Sequence, residues 1–129
     1  MTLQEKLFAL QAEIKPMVKD TQGYNYKYFD INQMLAMLKP LFAKYKVLVQ
    51  QPLHHDNGDS MLMTIIYDLE SNSTVESSIA LPKSMKPQEL GSAITYYRRY
   101  SLQSLLLMEA KDDDAKSAND SVKDNDSPF

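Results

Sequence analysis

The chain has 129 residues, no cysteine, no tryptophan and a formal charge of −3. At that length one domain is expected, burying roughly 65% of its unfolded surface. The missing cysteines exclude disulfides, cysteine zinc sites, iron–sulfur clusters and a cysteine nucleophile, and they suit a reducing cytoplasm. Hydrophobic residues at 43% and charged residues at 24% describe an ordinary soluble protein. Taken over the whole chain, the acidity argues against a nucleic-acid partner.

Thr2 and Glu5 fit a capping box that opens a first helix. Leu3, Leu7, Leu10, Ile14 and Met17 continue it as an amphipathic stripe, with a stop or kink expected at Pro16. Glu5, Lys6, Gln11 and Glu13 break up these apolar residues, so no secretory leader is expected. Tyr24, Tyr26 and Tyr28 alternate with Asn25 and Lys27, which predicts a short strand with three rings on one face. Asp30 with Gln33 caps a second predicted helix, carried by Ile31, Leu35, Leu38 and Phe42 and kinked at Pro40.

Val47–Leu53, Met61–Leu69 and Thr74–Leu81 read as three strands. Asp56-Asn-Gly58-Asp is a hairpin signal, and Ser71-Asn-Ser73 marks a second turn. His54 and His55 are neighbours beside the first turn. On an extended chain they point to opposite faces, so they read as surface histidines and not as a shared metal site. A loop over Lys83–Pro87 leads to a last helix, with Pro87 in its first turn, running to about Met108. The predicted class is α+β: an antiparallel three-stranded meander packed by helices. The longest apolar stretches, Met34–Leu38 and Leu105–Met108, are too short to span a bilayer, and no membrane partner is expected.

The charge is unevenly placed. Residues 109–129 hold seven acids and three lysines, a net −4, while residues 1–108 hold ten acids and eleven bases, a net +1. Beyond Ala110 the composition is mainly Asp, Ser, Lys, Asn and Ala, which cannot bury enough apolar area to offset its ordering entropy. The division expected is therefore a domain over residues 1–110 and a disordered acidic tail over 111–129. The acidity belongs to the tail.

On the last helix, Leu90, Ile94, Tyr97, Ser101, Leu105 and Met108 fall on one face, expected to pack on the sheet. Ser92, Tyr96, Arg99 and Gln103 form the opposite, polar stripe, and Arg98 lies at the edge of the apolar one. Arg98 and Arg99 are the chain's only arginines, and Lys83–Tyr100 holds four bases against one acid, Glu89. Basic groups among aromatic ones suit single-stranded nucleic acid, since phosphates need charge and bases stack on rings or guanidinium planes. The same spacing also fits plain packing by Tyr97 and Tyr100 with solvated or ion-paired arginines. Gly91, inside a helix at a cost of about 1 kcal/mol relative to alanine, predicts a close approach to its backbone.

Gly91-Ser-Ala-Ile-Thr-Tyr-Tyr-Arg-Arg-Tyr-Ser-Leu-Gln-Ser-Leu105, followed by Asp112-Asp-Asp114, resembles the ERF (essential recombination function) family of single-strand annealing proteins. The family's signature runs Gly-Ser-Ala-x-Thr-Tyr-x-Arg-Arg-Tyr, an aliphatic helix end and an Asp cluster. Tyr26-Lys-Tyr28 and Pro40-Leu41 are similar to upstream blocks, so the likeness covers about Leu3 to Asp114. Met108-Glu-Ala-Lys111 stands where relatives usually carry a glycine.

The resemblance implies an ATP-independent recombination protein of bacteriophages or prophages, acting in the cytoplasm of a bacterial host. It implies binding and pairing of single-stranded DNA, no cofactor, no catalytic step, and homo-oligomers in rings or helical filaments. A distant kinship with the Rad-fifty-two-like fold, a β-β-β-α core, is also implied. Arg99 and Tyr96 are then the first DNA-binding candidates, followed by Arg98, Lys86, Lys83, Lys27 and Tyr26, with Gly91, Tyr97 and Tyr100 as structural or inter-subunit contacts. The rival readings are a divalent-metal nuclease built on Asp112–Asp114 and a protein-interaction module. The three acids are expected first as solvated residues, available to a host single-strand-binding or recombination protein.

Overall fold

The computed structural model describes residues 1–19, 21–22, 27–28 and 30–111. Their order is α1 (Leu3–Glu13), β1 (Met17–Val18), β2 (Thr21–Gln22), β3 (Lys27–Tyr28), α2 (Ile31–Tyr45), β4 (Val47–Gln50), β5 (Leu53–Asp56), β6 (Asp59–Asp68), β7 (Thr74–Ala80), α3 (Pro87–Leu105) and β8 (Ala110–Lys111). The class is α+β, as the sequence predicts. Tyr24, Tyr26 and the Asp112–Asp114 cluster lie outside the described residues, and so does the acidic tail beyond Lys111.

The expected capping box opens α1: the Glu5 N–H donates to Thr2 Oγ1 at 3.1 Å, and the Thr2 N–H donates to Glu5 Oε1 at 2.8 Å. The helix is shorter than its apolar stripe. It ends at Glu13 with Ile14 extended, because the residue before Pro16 is pushed out of helical conformation. Met17 does not continue the helix; with Val18 it forms β1, which pairs in parallel with β8. Ile14 and Met17 still pack on the core, which is why their spacing mimics a longer helix. Of the predicted tyrosine strand, the described residues include Lys27 and Tyr28, which form β3 antiparallel to β2.

Helix α2 begins where predicted, with the Asp30 N–H donating to Gln33 Oε1 at 3.3 Å. It runs through Pro40 to Tyr45, and Lys46 ends it in left-handed conformation. Ile31, Met34, Leu38 and Phe42 are its buried residues. Leu35, assigned to that stripe from spacing, is only half-buried.

The meander forms in the predicted order. Strands β4 and β5 keep one register against β6 (Gln50 opposite Ile65, Leu53 opposite Leu62), so they are one arm interrupted at Gln51-Pro52. Pro52 lacks an N–H, but its carbonyl still accepts from the Met63 N–H at 2.9 Å. Asn57 and Gly58, with φ of 52° and 80°, turn the hairpin in the doubly left-handed way a two-residue connection needs. Strand β7 lies along the other edge of β6, from Met61–Ala80 to Tyr67–Thr74. A β-β-β-α sequence of elements is completed by α3.

All three helices lie on one side of this sheet. Leu62, Thr64, Ile66 and Asp68 of β6 point to that side and are buried. The main core joins Leu3 and Leu10 of α1, four residues of α2, Val47, Ile66, Leu102, Leu106 and Met108. A smaller cluster of Leu62, Leu81 and Tyr97 lies under the first half of α3. The last helix stops at Leu105, earlier than the predicted Met108, because Leu107 turns left-handed with φ of 52°. That residue reverses the chain into β8 without the glycine expected of relatives.

One feature of the core has no counterpart in the apolar pattern. Lys6 and Asp68 are both buried and paired at 2.6 Å. Lys6 also reaches Glu70 at 2.6 Å, while Asp68 accepts from the Ser71 hydroxyl at 2.6 Å and the Glu70 N–H at 3.0 Å. The Lys6 ammonium, then the Ser71 hydroxyl and the Glu70 N–H, hold the Asp68 carboxyl far below the usual carboxylate range. In return Asp68 and Glu70 raise Lys6. Both charges are satisfied, so the pair fixes α1 against the turn that joins β6 to β7.

Candidate nucleic-acid interface

Helix α3 starts as its sequence dictates. Pro87 occupies the first turn, and the Lys86 N–H donates to Glu89 Oε1 at 3.0 Å. Its packed side holds Leu90, Ile94 and Tyr97 against the smaller cluster, with Leu102 and Leu105 against the main one. The mid-helix position is fixed by Gln51, whose amide donates to Thr64 Oγ1 at 3.0 Å and to the Arg98 carbonyl at 3.1 Å. The interruption in the first strand arm thus anchors the helix above the sheet. Gln51 escaped the sequence analysis because a glutamine beside a proline carries no periodic signal.

The polar stripe predicted opposite the packed side is corrected at its central residue. Arg99 is 5% exposed, so it is a buried side chain and not a solvated one. Tyr96 lies three residues before Arg99 and four before Tyr100, the spacings at which helical side chains meet. The guanidinium carbon stands 5.1 Å from the Tyr96 ring centroid and 5.8 Å from that of Tyr100. The two rings are 4.7 Å apart and tilted by 31°, and Tyr97 meets Tyr96 edge-on at 5.7 Å. A helical wheel treats each residue as a direction and misses this lateral cover, so it places Arg99 in water. Tyr96, Arg98 and Tyr100 are half-buried, and Tyr97 is buried, as the packing reading expects.

The other candidates are more dispersed. Lys86 is exposed at the helix N-cap. Lys83 is exposed and pairs with Asp59 at 2.9 Å, linking the loop to the hairpin tip. Lys27 is placed in β3, opposite Gln22. Gly91 is exposed, and a Cβ built there meets nothing within 4 Å among the described residues. The close approach predicted from its presence is therefore not made by any described part of the fold.

Between the hairpin and α3 opens a cleft of about 540 Å³, lined by Leu53, His54, His55, Leu81, Lys83 and Leu90 among others. Both histidines are exposed, as expected, and His55 Nδ1 lies 2.9 Å from Ser60 Oγ. Its lining mixes apolar side chains with the two histidines, serines and Lys83. Among the described residues no group of His, Cys, Asp or Glu is arranged to hold a metal ion. No described helix is long and apolar enough to cross a membrane.

Comparison with curated proteins and with solved structures returned no match. A comparison with family models did: the ERF superfamily matches residues 3–128. That span takes in the helices, the meander and the whole Gly91–Leu105 block, and on it the chain belongs to the ERF superfamily.

Proposed function

We propose that this protein binds single-stranded DNA and anneals complementary strands, working as an assembly of identical copies and using no nucleotide cofactor. Membership of the ERF superfamily carries the reading. An annealing protein has to neutralise phosphates so that two polyanions approach, while leaving base edges free to pair. Such work forms and breaks no covalent bond, so it asks for cations and stacking rings and not for a catalytic centre.

The geometry of α3 supports a division of labour among the candidates. Lys86 and Lys83 take phosphates, with Lys83 leaving Asp59 at little cost because an exposed ion pair is worth about 0–1 kcal/mol. Arg98, half-buried about three turns further along the helix, takes a third. Tyr96 and Tyr100 offer ring faces, and Arg99 acts on DNA through them by holding the rings in place. Lys27 and Tyr26 are a further charge and a further ring among the candidates that the resemblance implies. Few bases per copy suffice where many copies line up.

The test mixes labelled complementary strands with the protein in EDTA while salt is varied. Accelerated annealing that survives chelation is expected, with affinity falling by a log–log slope of about −0.7 per phosphate contact. No acceleration at low salt refutes the reading. Cleavage that requires Mg²⁺ replaces it with the nuclease built on Asp112–Asp114.

A further inference from the structure

The longest stretch of the chain without an aspartate or glutamate is residues 31–55, and its charges are Lys39, Lys44 and Lys46. The next longest, residues 90–108, holds the two arginines of the α3 block. Helix α2 makes up most of the first stretch, and its exposed residues are Asn32, Gln33, Ala36, Lys39, Pro40, Ala43 and Lys44. At 100° per residue these span an arc of about 140°, with Lys39 at one edge and Lys44 at the other. Small or uncharged side chains fill the arc between them, and Lys46 follows at the C-cap. No motif marks the three lysines, since they interleave with the buried Leu38 and Phe42.

The acids near this face come from other elements. Glu13 of α1 accepts from Lys44 Nζ at 2.9 Å, and Glu70 stands 3.8 Å from Lys46 while also holding Lys6. Asp30 lies at the opposite end of the helix, at its N-cap. The side chains of Lys44 and Lys46 are 59% and 66% exposed, so both pairs lie in water, where they are weak and screened. With Lys6 answered by Asp68, three lysines here face two acids, whereas Lys83 and Lys86 face Asp59 and Glu89 one for one.

We infer that this face of α2 is a further contact surface for the phosphate backbone of single-stranded DNA, with Lys39, Lys44 and Lys46 as its cations. The small residues between the lysines let a sugar-phosphate chain lie close to the helix, and lysine meets phosphate as a point charge without reading sequence. A lipid surface fits poorly. An interfacial helix needs large apolar side chains beside its charges, and none of the exposed large apolar residues belongs to α2. Residues 112–129 are the rival within the chain, but six acids and two lysines over eighteen residues give them a lower charge density than one phosphate per nucleotide. Helices α2 and α3 pack together on one side of the sheet, so a strand gripped at α3 can continue onto α2.

This inference rests on the DNA binding proposed above, and the experiment separates the two. The full chain and a Lys39→Gln, Lys44→Gln, Lys46→Gln variant are titrated with fluorescent oligo(dT) at several salt concentrations. The variant is expected to bind at least about ten-fold more weakly at low salt, with a log–log slope smaller by about 2, from about 0.7 per phosphate contact. A control with the same loss of charge in the tail, Lys111→Gln, Lys116→Gln, Lys123→Gln, is expected to stay within about two-fold of wild type, distant charges being screened. Unchanged binding in the first variant, or an equal loss in the control, overturns the α2 surface and leaves the α3 reading standing. Tighter binding by the variant overturns it in favour of the acidic tail. Loss of binding to phosphatidylserine-containing vesicles, with oligo(dT) binding unchanged, overturns it in favour of a membrane. A wild-type chain that does not bind oligo(dT) overturns both readings. If the variant does not fold, amine acetylation of the wild type read by mass spectrometry decides: oligo(dT) should shield Lys39, and an unshielded Lys39 overturns the inference.

Discussion

Removing the Arg99 side chain should loosen the protein before it touches DNA binding. Arg99 is buried with its guanidinium against two rings, at 5.1 and 5.8 Å. A desolvated cation–ring contact is worth up to about 2 kcal/mol and an exposed one about 0.5–1. The aliphatic stem adds packing that alanine also loses. Arg99→Ala should therefore cost about 1–3 kcal/mol, which for a domain of this size lowers Tm by roughly 4–12 °C. Arg99→Lys keeps a charge but not the planar fork, so it should recover only part of the loss. Thermal unfolding followed by circular dichroism measures the shift, and the near-ultraviolet tyrosine signal reports the stack directly. If Tm moves by less than about 1 °C and the tyrosine signal is unchanged, Arg99 does not hold the rings.

The remaining expectations concern charge, packing and pH. Lys86→Ala should weaken single-strand binding with no change in Tm and reduce the salt slope by about 0.7, and Lys83→Ala should do so less, since Asp59 already holds it. Binding titrations at several salt concentrations check both. Leu102→Ala opens a cavity in a fully buried site joining α3 to the main core and should cost about 2–5 kcal/mol in denaturant unfolding. Gly91→Ala has open space around its Cβ, so it should stabilise the isolated chain by about 0.5–1 kcal/mol; if a strand or a second copy approaches that backbone, annealing falls while Tm rises. Asp68, Glu70 and Glu13 have carboxyls held below their ordinary range, the first two chiefly by Lys6 and the third by the Tyr45 hydroxyl and then Lys44. Groups lowered by folding stabilise above their unfolded pKa, so Tm should decline as pH drops below about 5 and keep declining toward pH 2. Lys6 is raised, so its contribution disappears only as pH climbs past about 10.4. Melting curves across the acid range that stay flat would refute this account of the Lys6–Asp68 pair.

Where the expected outline held, the signals were local. The Thr2–Glu5 box, the Asp30 start of α2, the Asn57-Gly58 turn and Pro87 in the first turn of α3 each depend on contacts within a few residues. Two-residue alternation likewise placed the meander. Where it failed, the cause was distant. Met17 and Ile14 keep helical spacing because they face the core, although Pro16 has already released the backbone to pair with Ala110 and Lys111. Arg99 and Arg98 were found as a pair because arginine is rare here, and the motif that contains them lies within the span that establishes the family.

By itself, then, the sequence determined the order of elements, the segregation of acid into the last twenty-one residues, and the helix that bears the Tyr-Arg-Arg-Tyr block. Each is fixed by neighbours in the chain. Tertiary structure alone decided that Arg99 is buried and that Lys6 is a buried charge answered from sixty-two residues away. It alone decided that Leu62, Thr64, Ile66 and Asp68 are the residues of β6 that become buried. The reason is physical: burial and charge pairing are properties of surroundings, and those surroundings form only when distant segments pack.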